Sequence, residues 1–151
     1  MLLAIFLLAS LAAAATGIIF KPGAWYEGLA KPAFTPPKWA FPVAWSVIYV
    51  LSAWAASRLA VLPGNGTVMA LWAAQIALNT LWTPVFFGAH RMGLGMGVMA
   101  VLWLVLAALV TLAFRLDAVA AVLLLPYLVW LCIAAALNWR VWRDNPGAGA
   151  A

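Results

Sequence analysis

The chain has 151 residues, of which 69% are hydrophobic and only 7% are charged. Soluble domains carry about a quarter of charged residues, so a water-soluble fold of this size would be unable to cover so much apolar surface. The net charge of +5 does not indicate nucleic-acid binding, because the basic side chains are scattered at the ends of apolar segments. The chain has one cysteine, which excludes an internal disulfide, and one histidine, which is too few for a typical metal site. We therefore expect no metal site, and we expect no catalytic residues.

Five apolar segments are each long enough to cross a hydrocarbon core of roughly 30 Å as a helix. The first lacks the basic residues that open a cleavable signal peptide. The segments cover about residues 1–20, 39–59, 67–87, 92–114 and 118–142. The sequence therefore predicts an all-α fold, an integral membrane bundle of five transmembrane helices forming one domain over residues 1–151. We expect the Gly- and Ala-rich tail from Arg143 to fray.

Residues 21–38 form a long connection between the first two helices. This segment contains four prolines, three lysines and three aromatic residues. Long loops inside compact domains usually serve as lids or binding loops, and prolines stiffen the backbone. We therefore expect an ordered loop that closes one end of the bundle. The lid residues of this loop are predicted to be Phe34, Pro36, Pro37 and Lys38.

The basic residues differ in number between the two ends of the bundle. An odd number of spans puts the two termini on opposite sides. The side with loop 21–38 and the C-terminus carries Lys21, Lys31, Lys38, Arg91, Arg140 and Arg143, and the other side carries Arg58 and Arg115. By the positive-inside rule, loop 21–38 and the C-terminus are predicted to be cytoplasmic in a bacterial cell membrane.

Polar side chains at membrane depth are costly, and they are therefore informative. Gln75 and Asn79 share one face of the third predicted span, because they are four residues apart. That face continues with Trp82, Thr83 and Phe86. Matching stripes on the second and fifth spans comprise Phe41, Trp45, Tyr49 and Ser52, and Tyr127, Trp130, Ala134, Leu137 and Asn138. Converging beneath one loop, the stripes predict a pocket with aromatic walls and hydrogen-bonding amides. The alternative is that these residues only join and fill the bundle.

Small residues recur at helical spacing on two spans. Gly93 and Gly97 form a GxxxG step on the fourth span. The third span contains the small-residue steps Ala70 with Ala74 and Ala73 with Ala77. Such steps let helices approach closely, either within one bundle or between two subunits.

Five stretches of the sequence resemble the TspO/MBR family of tryptophan-rich sensory proteins and translocator proteins. They are WYEGLAKPAFTPPKW (25–39), PVAWSVIY (42–49), LNTLWTPVFFGAHRMG (78–93), PYLVW (126–130) and ALNWRVWRDN (136–145). The resemblance implies five helices, often in a homodimer, and a membrane receptor or carrier with no required cofactor. It implies a pocket beneath loop 21–38 that binds tetrapyrroles such as protoporphyrin IX or haem-type rings, and in some members sterols or benzodiazepine-type drugs. Carried over by motif, the ligand-binding residues are Trp39, Trp45, Tyr49, Asn79, Trp82, Phe86, Trp130, Ala134 and Leu137.

Two departures from the family pattern bear on alternative functions. The first loop of the family commonly reads Trp-x-Pro-Pro, whereas this chain has Phe34 in the tryptophan position. This weakens the alternative of a light- and oxygen-dependent porphyrin-degrading enzyme. The sterol consensus is also absent, because the basic residue that follows Tyr127 is as distant as Arg140. A third hypothesis, a small multidrug or ion-coupled transporter, lacks an ionisable side chain in the middle of a span.

Overall fold

The computed structural model describes residues 1–149, and every regular element in that part of the chain is helical. The elements are α1 (Leu2–Ile19), α2 (Ala24–Glu27), α3 (Ala40–Leu59), α4 (Gly66–Thr83), a π-helical turn (Pro84–Gly88), α5 (Met92–Leu116) and α6 (Ala118–Asp144). Five of them are long and apolar enough to span a membrane: α1, α3, α4 with its π-helical turn, α5 and α6. The predicted all-α bundle of five spans is confirmed, and each predicted end lies within two residues of the observed one.

The five long helices are arranged as a closed ring. Helix α1 packs against α3 and α4, α3 packs against α6, α6 against α5, and α5 against α4. Large apolar side chains are exposed on the outer surface of every long helix, and contact of so much apolar surface with water would be unfavourable. The chain is an integral membrane protein, and these outer faces contact lipid.

Small side chains fill the end of the ring that lies opposite loop 21–38, which we call the far end. Alanines let the helix backbones approach closely, and leucines fill the remaining space. The fully buried residues here are Ala53, Ala55, Ala56, Leu59, Leu109, Ala113, Ala120, Ala121 and Leu124. The far end is therefore a tightly packed base.

An ion pair closes this base at the helix ends. Arg58 Nε donates to Asp117 Oδ2 at 2.8 Å, which ties the last turn of α3 to the start of α6. Asp117 also accepts from the backbone N–H groups of Val119 and Ala120, so it is the N-cap of α6. The hydrogen bond from Arg58 is the main reason why the pKa of Asp117 lies below its usual value. Desolvation opposes this decrease, and the two backbone hydrogen bonds add to it.

Two features of the loop end differ from the prediction. Loop 21–38 contains the short helix α2, which is too brief to produce a helical pattern in the sequence. The predicted fraying from Arg143 is wrong for the described residues, because α6 continues to Asp144, and Asn145 and Ala148 are hydrogen-bonded to loop 21–38. The last two residues of the tail lie outside the described part of the chain.

The π-helical turn forms where α4 meets Pro84. Proline has no N–H to donate to the preceding turn, and its ring crowds the carbonyl four residues earlier. The turn widens at this point, and the Ala89 N–H donates to Pro84 O at 2.8 Å in a five-residue step. The wide turn places Phe86 in the interior, where it is buried, with Phe87 beside it.

Candidate ligand-binding site

Three helices are joined near mid-depth by one chain of side-chain hydrogen bonds. Tyr49 Oη on α3 donates to Asn79 Oδ1 on α4 at 2.8 Å. Asn79 Nδ2 donates to Tyr127 Oη on α6, also at 2.8 Å. Asn79 and Tyr127 are buried, and Tyr49 is half-buried. We call this chain the polar rung, because it crosses the interior of the ring and links three of its helices.

A second set of contacts lies one turn closer to loop 21–38. Trp82 Nε1 donates to Asn138 Oδ1 at 3.3 Å, and Asn138 Nδ2 donates to the Met92 carbonyl at 3.1 Å. Phe86 stacks on Trp82 with ring centroids 5.0 Å apart. A Cβ at Gly95 would lie 3.2 Å from Phe86 and 3.4 Å from the Asn138 oxygen, so glycine permits this close approach of α5.

The aromatic stripe of α3 meets α6 beside the polar rung. The Trp45 ring lies 5.5 Å from Tyr49 and 5.8 Å from Tyr127. Phe41 packs edge-on against Trp130, with centroids 5.7 Å apart. The Trp130 Nε1 atom is buried without a hydrogen-bond partner in the described part of the chain. This indole N–H is a donor that an incoming acceptor could satisfy.

Gln75 is the other buried side chain that lacks partners among the described residues. It lies on α4 one turn below Asn79, it is 0% exposed, and neither amide atom is hydrogen-bonded within residues 1–149. The sequence placed it on the stripe but not among the ligand-binding residues. Its signal was the four-residue spacing to Asn79, which indicated a shared face.

The first half of loop 21–38 covers this interior. The Tyr26 ring lies 6.3 Å from Phe86 and 5.3 Å from Phe87. Leu29 is buried in a small cluster with Phe86, Met92 and Val141. Burial raises the pKa of Tyr26, and the neighbouring Glu27 carboxylate adds to the increase. The prediction of an ordered loop that packs back on the bundle is confirmed for this half.

The second half of the loop lies closer to the surface. Phe34 is 53% exposed and Trp39 is 67% exposed. Lys38 Nζ lies 2.7 Å from Glu27 Oε1, and this hydrogen bond holds the pKa of the Glu27 carboxyl below its usual value. Both side chains of the pair are solvent-exposed. Among the lid residues, Pro36 is half-buried and Pro37 is exposed.

The structure brings together most of the predicted ligand-binding residues, with one exception. Trp45, Tyr49 and Asn79 lie around the polar rung, and Ala134 and Leu137 lie further along α6 toward the loop. Trp39 is the exception, because it is the N-cap of α3 and lies at the surface. The rings in the interior contact one another.

An open groove lies on the outer face of α6 rather than beneath the loop. Its volume is about 480 Å³, and it is lined by Val122, Leu125, Pro126, Val129, Trp130 and Ile133. All of these residues belong to α6, and all except Trp130 are exposed on its outer face, so the groove opens toward lipid. Trp130 contributes both to this groove and to the interior.

Tyr127 and Asn138 have larger roles than the motif-based site predicted. Both were recognised on the stripe of α6, but neither was counted among the ligand-binding residues. Tyr127 completes the polar rung, and Asn138 joins α4 to α5 through Trp82 and Met92. Their helical spacing with Trp130 and Ala134 indicated that they share a face of α6, but it could not indicate their hydrogen-bond partners.

The comparison with known families decides the identity of this arrangement. A model of the TspO/MBR family matches residues 2–143. The chain belongs to the TspO/MBR family. The resemblance found in the five sequence stretches is thereby confirmed, and the five-helix ring is the membrane domain of a TspO/MBR protein.

Several members of the family are similar over most of their length. The CrtK protein of Rhodobacter capsulatus is 47% identical over 150 residues, covering 97% of this chain and 94% of that protein. A tryptophan-rich sensory protein of Cereibacter sphaeroides is 49% identical over 140 residues, covering 93% of this chain and 89% of that protein. The human translocator protein is 36% identical over 128 residues, covering 82% of this chain and 76% of that protein.

Proposed function

We propose that this TspO/MBR protein is a membrane receptor or carrier for tetrapyrroles such as protoporphyrin IX. The observation that supports this proposal is the convergence of aromatic, amide and hydroxyl groups from α3, α4 and α6 in one interior beneath the loop. Flat aromatic walls bind a flat ring by stacking, and a few polar groups orient it. The proposed ligand needs no cofactor, and haem-type rings belong to the same chemical class.

The ring would stack between the indoles of Trp45 and Trp130. The unpaired Trp130 N–H would then donate to a ligand acceptor, which removes the cost of a buried unsatisfied donor. Asn79 would bond a polar edge of the ring. Binding has to separate side chains that contact one another, and Trp45 and Trp130 are only half-buried.

The lysines of the loop suit the propionate groups of a porphyrin. Lys38 is exposed and paired with Glu27 at the surface, and Lys31 lies 4.7 Å from the centre of the Tyr26 ring. Both ammonium groups are close to the water interface, where propionates would remain partly hydrated. Trp39 would join the site when the second half of the loop moves inward over the ring.

A fluorescence titration tests this proposal. Protoporphyrin IX is added in the dark to the purified protein in detergent, and intrinsic tryptophan emission is followed. We expect saturable quenching, which the double variant Trp45→Ala with Trp130→Ala strongly reduces. Trp54→Ala is the matched control, because Trp54 is exposed on the outer face of α3. Quenching that never saturates, or that is equal in the double variant, would refute the proposal.

We propose that loop 21–38 and the C-terminus face the cytoplasm of a bacterial membrane. The unequal distribution of basic residues supports this orientation. Lys21, Arg91 and Arg143 are all exposed on the loop side. Membrane-impermeant labelling of Lys21→Cys in a Cys132→Ala background tests the orientation: labelling only after lysis supports it, and labelling of intact cells contradicts it.

We also propose a homodimer. A Cβ at Gly93 would lie 3.0 Å from the Trp142 ring, so Gly93 is already used within the bundle. Gly97 has open space beside it, and Ala70, Ala73 and Ala77 are exposed on the neighbouring α4. Small exposed residues permit close helix contact between subunits. Crosslinking in membranes should yield dimers that Gly97→Leu reduces, and an unchanged dimer yield would argue against this interface.

A further inference from the structure

The last helix is tied to the loop by one asparagine side chain. The Ala30 N–H donates to Asn145 Oδ1 at 2.8 Å, and Asn145 Nδ2 donates back to the Ala30 carbonyl at 2.9 Å. Asn145 Nδ2 also donates to the Val141 carbonyl at 2.7 Å, which closes the last turn of α6. Asn145 therefore holds the helix end and the loop backbone at the same time.

Trp25 forms a second connection on the same side. Its Nε1 atom donates to the Ala148 carbonyl at 2.7 Å. Its ring stacks on His90, in the turn before α5, with centroids 4.1 Å apart and an interplanar angle of 14°. Residues 24–30 are thus held both by the C-terminal segment and by the turn between α4 and α5. We call residues 24–30 the anchored half of the loop.

The anchored half rests directly on the proposed site. Trp25 and Tyr26 both contact the Phe86 ring, at 5.9 Å and 6.3 Å. Phe86 in turn stacks on Trp82. A displacement of the anchored half would therefore release the ring stack that forms one wall of the interior.

Residues 31–39, the outer half of the loop, are held much less firmly. Within this fully described segment, Thr35 is the residue whose N–H has a backbone partner, the Pro32 carbonyl. By contrast, the N–H groups of residues 27–30 are all hydrogen-bonded. The ion pair between Lys38 and Glu27 is solvent-exposed, and such pairs add little stability.

We propose that Asn145 is a positioning residue for the ligand site, which fixes residues 24–30 as the rigid half of the lid and leaves residues 31–39 as the moving half. The ligand enters and leaves past the moving half. The anchored half does not open, and it keeps Phe86 and Trp82 in place against the bound ring. This inference rests on the proposed tetrapyrrole function.

Hydrogen exchange tests the division of the loop without any ligand. In the purified full chain, amides of residues 27–30 should exchange slowly and those of residues 31–39 rapidly. Asn145→Ala should speed exchange at 27–30 by about tenfold, because two hydrogen bonds to Ala30 are lost. Asp144→Asn is the control: it removes the ion pair with Arg140 at the same helix end without touching the loop. Equal exchange in the two halves of the native loop would overturn the inference.

Stopped-flow binding of protoporphyrin IX tests the positioning role. Asn145→Ala should raise the dissociation rate by about tenfold and leave the association rate within about twofold, because entry uses the other half. Asn145→Asp keeps the acceptor for the Ala30 N–H, so its dissociation rate should lie between those of the native protein and Asn145→Ala. A general loss of structure would instead lower the melting temperature and the binding stoichiometry, which are measured in parallel.

A second variant guards against a folding defect in the first. Trp25→Phe keeps a ring above His90 and loses the bond to Ala148, so it should shift the dissociation rate in the same direction by a smaller factor. Unchanged dissociation rates in both variants, with binding intact, would refute the positioning role. If the native protein binds no protoporphyrin, the proposed function fails, while the exchange experiment still decides whether the loop has two halves.

Discussion

The two ends of the bundle are built from different kinds of side chain. At the far end, alanines and leucines such as Ala56, Ala121 and Leu124 are completely buried. At the loop end, the interior contains large rings, and Trp45 and Trp130 are only half-buried. Small side chains fix the distance between backbones, whereas large rings can rotate without moving a helix. The far end is therefore a rigid base, and the proposed ligand would have to be accommodated at the loop end.

Hydrogen bonding separates the two ends as well. At the far end Trp72 Nε1 donates to Ser52 Oγ at 3.0 Å, and Asn65 donates to two carbonyls at the end of α3. Within residues 1–149, the buried side-chain atoms without partners belong to Gln75 and Trp130, at mid-depth and toward the loop. Unsatisfied groups in a membrane interior are costly, and the proposed ligand would offset this cost by bonding to them.

The largest expected effect comes from overpacking the rigid base. Ala121→Leu adds three carbons where Ala121 is completely buried against its neighbours, and we expect a loss of about 1–3 kcal/mol in stability. Ala136→Leu makes the same change at an exposed position of α6 and should have little effect. Unfolding in detergent, followed by near-ultraviolet circular dichroism, compares the two. Equal stability of both variants would mean that the base is not tightly packed.

A pair of tryptophan substitutions separates structural from binding roles. Trp72→Phe removes the hydrogen bond to Ser52, so it should lower stability by about 1–2 kcal/mol and leave protoporphyrin affinity unchanged. Trp130→Phe loses no hydrogen bond within the described chain, so it should cost less stability but weaken binding by about fivefold. Thermal unfolding and fluorescence titration measure the two effects. The comparison fails if Trp72→Phe is the variant that weakens binding.

A smaller loss of stability is expected from cutting the polar rung. Asn79→Leu removes the bonds to Tyr49 and Tyr127, and hydrogen bonds between membrane helices average about 0.6 kcal/mol, so we expect a loss of about 1 kcal/mol. Thr80→Val is the control, because the Thr80 hydroxyl bonds only its own helix, at the Ile76 carbonyl. The unfolding midpoints of the two variants are compared with that of the native protein. An Asn79→Leu midpoint equal to the native value would show that the polar rung does not stabilise the ring of helices.

The smallest expected effect is the pH dependence of the far end. Because the folded chain lowers the pKa of Asp117, the unfolded chain binds this proton more readily. The stabilisation is therefore complete above the ordinary carboxyl pKa of about 3.9, and it is lost as the pH falls through the lower folded value. Asp117→Asn should reduce the decrease in stability at low pH, which is measured by unfolding between about pH 2 and pH 6. If the variant loses stability at low pH as the native protein does, this pH dependence belongs to a group other than Asp117.

The sequence predicts the spans well because their signal is simple. A run of about 20 apolar residues identifies a membrane helix regardless of its neighbours. Helical spacing likewise identified the inward faces of α4 and α6, as Asn79 and Tyr127 demonstrate. Spacing gives direction but not distance, so it could not reveal that the rings in the interior contact one another.

Tertiary contacts account for the features that the local sequence could not show. The tail after Arg143 has the composition of a frayed end, and nothing local in the sequence indicates that Asn145 pairs with Ala30, more than a hundred residues away. Trp39, which its motif assigns to the pocket, is the exposed N-cap of α3 in this structure, and its part in ligand binding stays a prediction. Both outcomes depend on the path of loop 21–38, which the prolines stiffen but do not direct.

The wide turn at Pro84–Gly88 also determines where the chain can tolerate a change of length. A π-helical turn contains one residue more than an α-helical turn needs, so deleting one residue there would restore regular α-helix without shifting the body of α4. The same deletion within Gly66–Thr83 would rotate all following side chains by about 100°, and Asn79 would face lipid. Single-residue deletions should therefore be tolerated at the wide turn, whereas the same deletions in the helix before it should disrupt the fold.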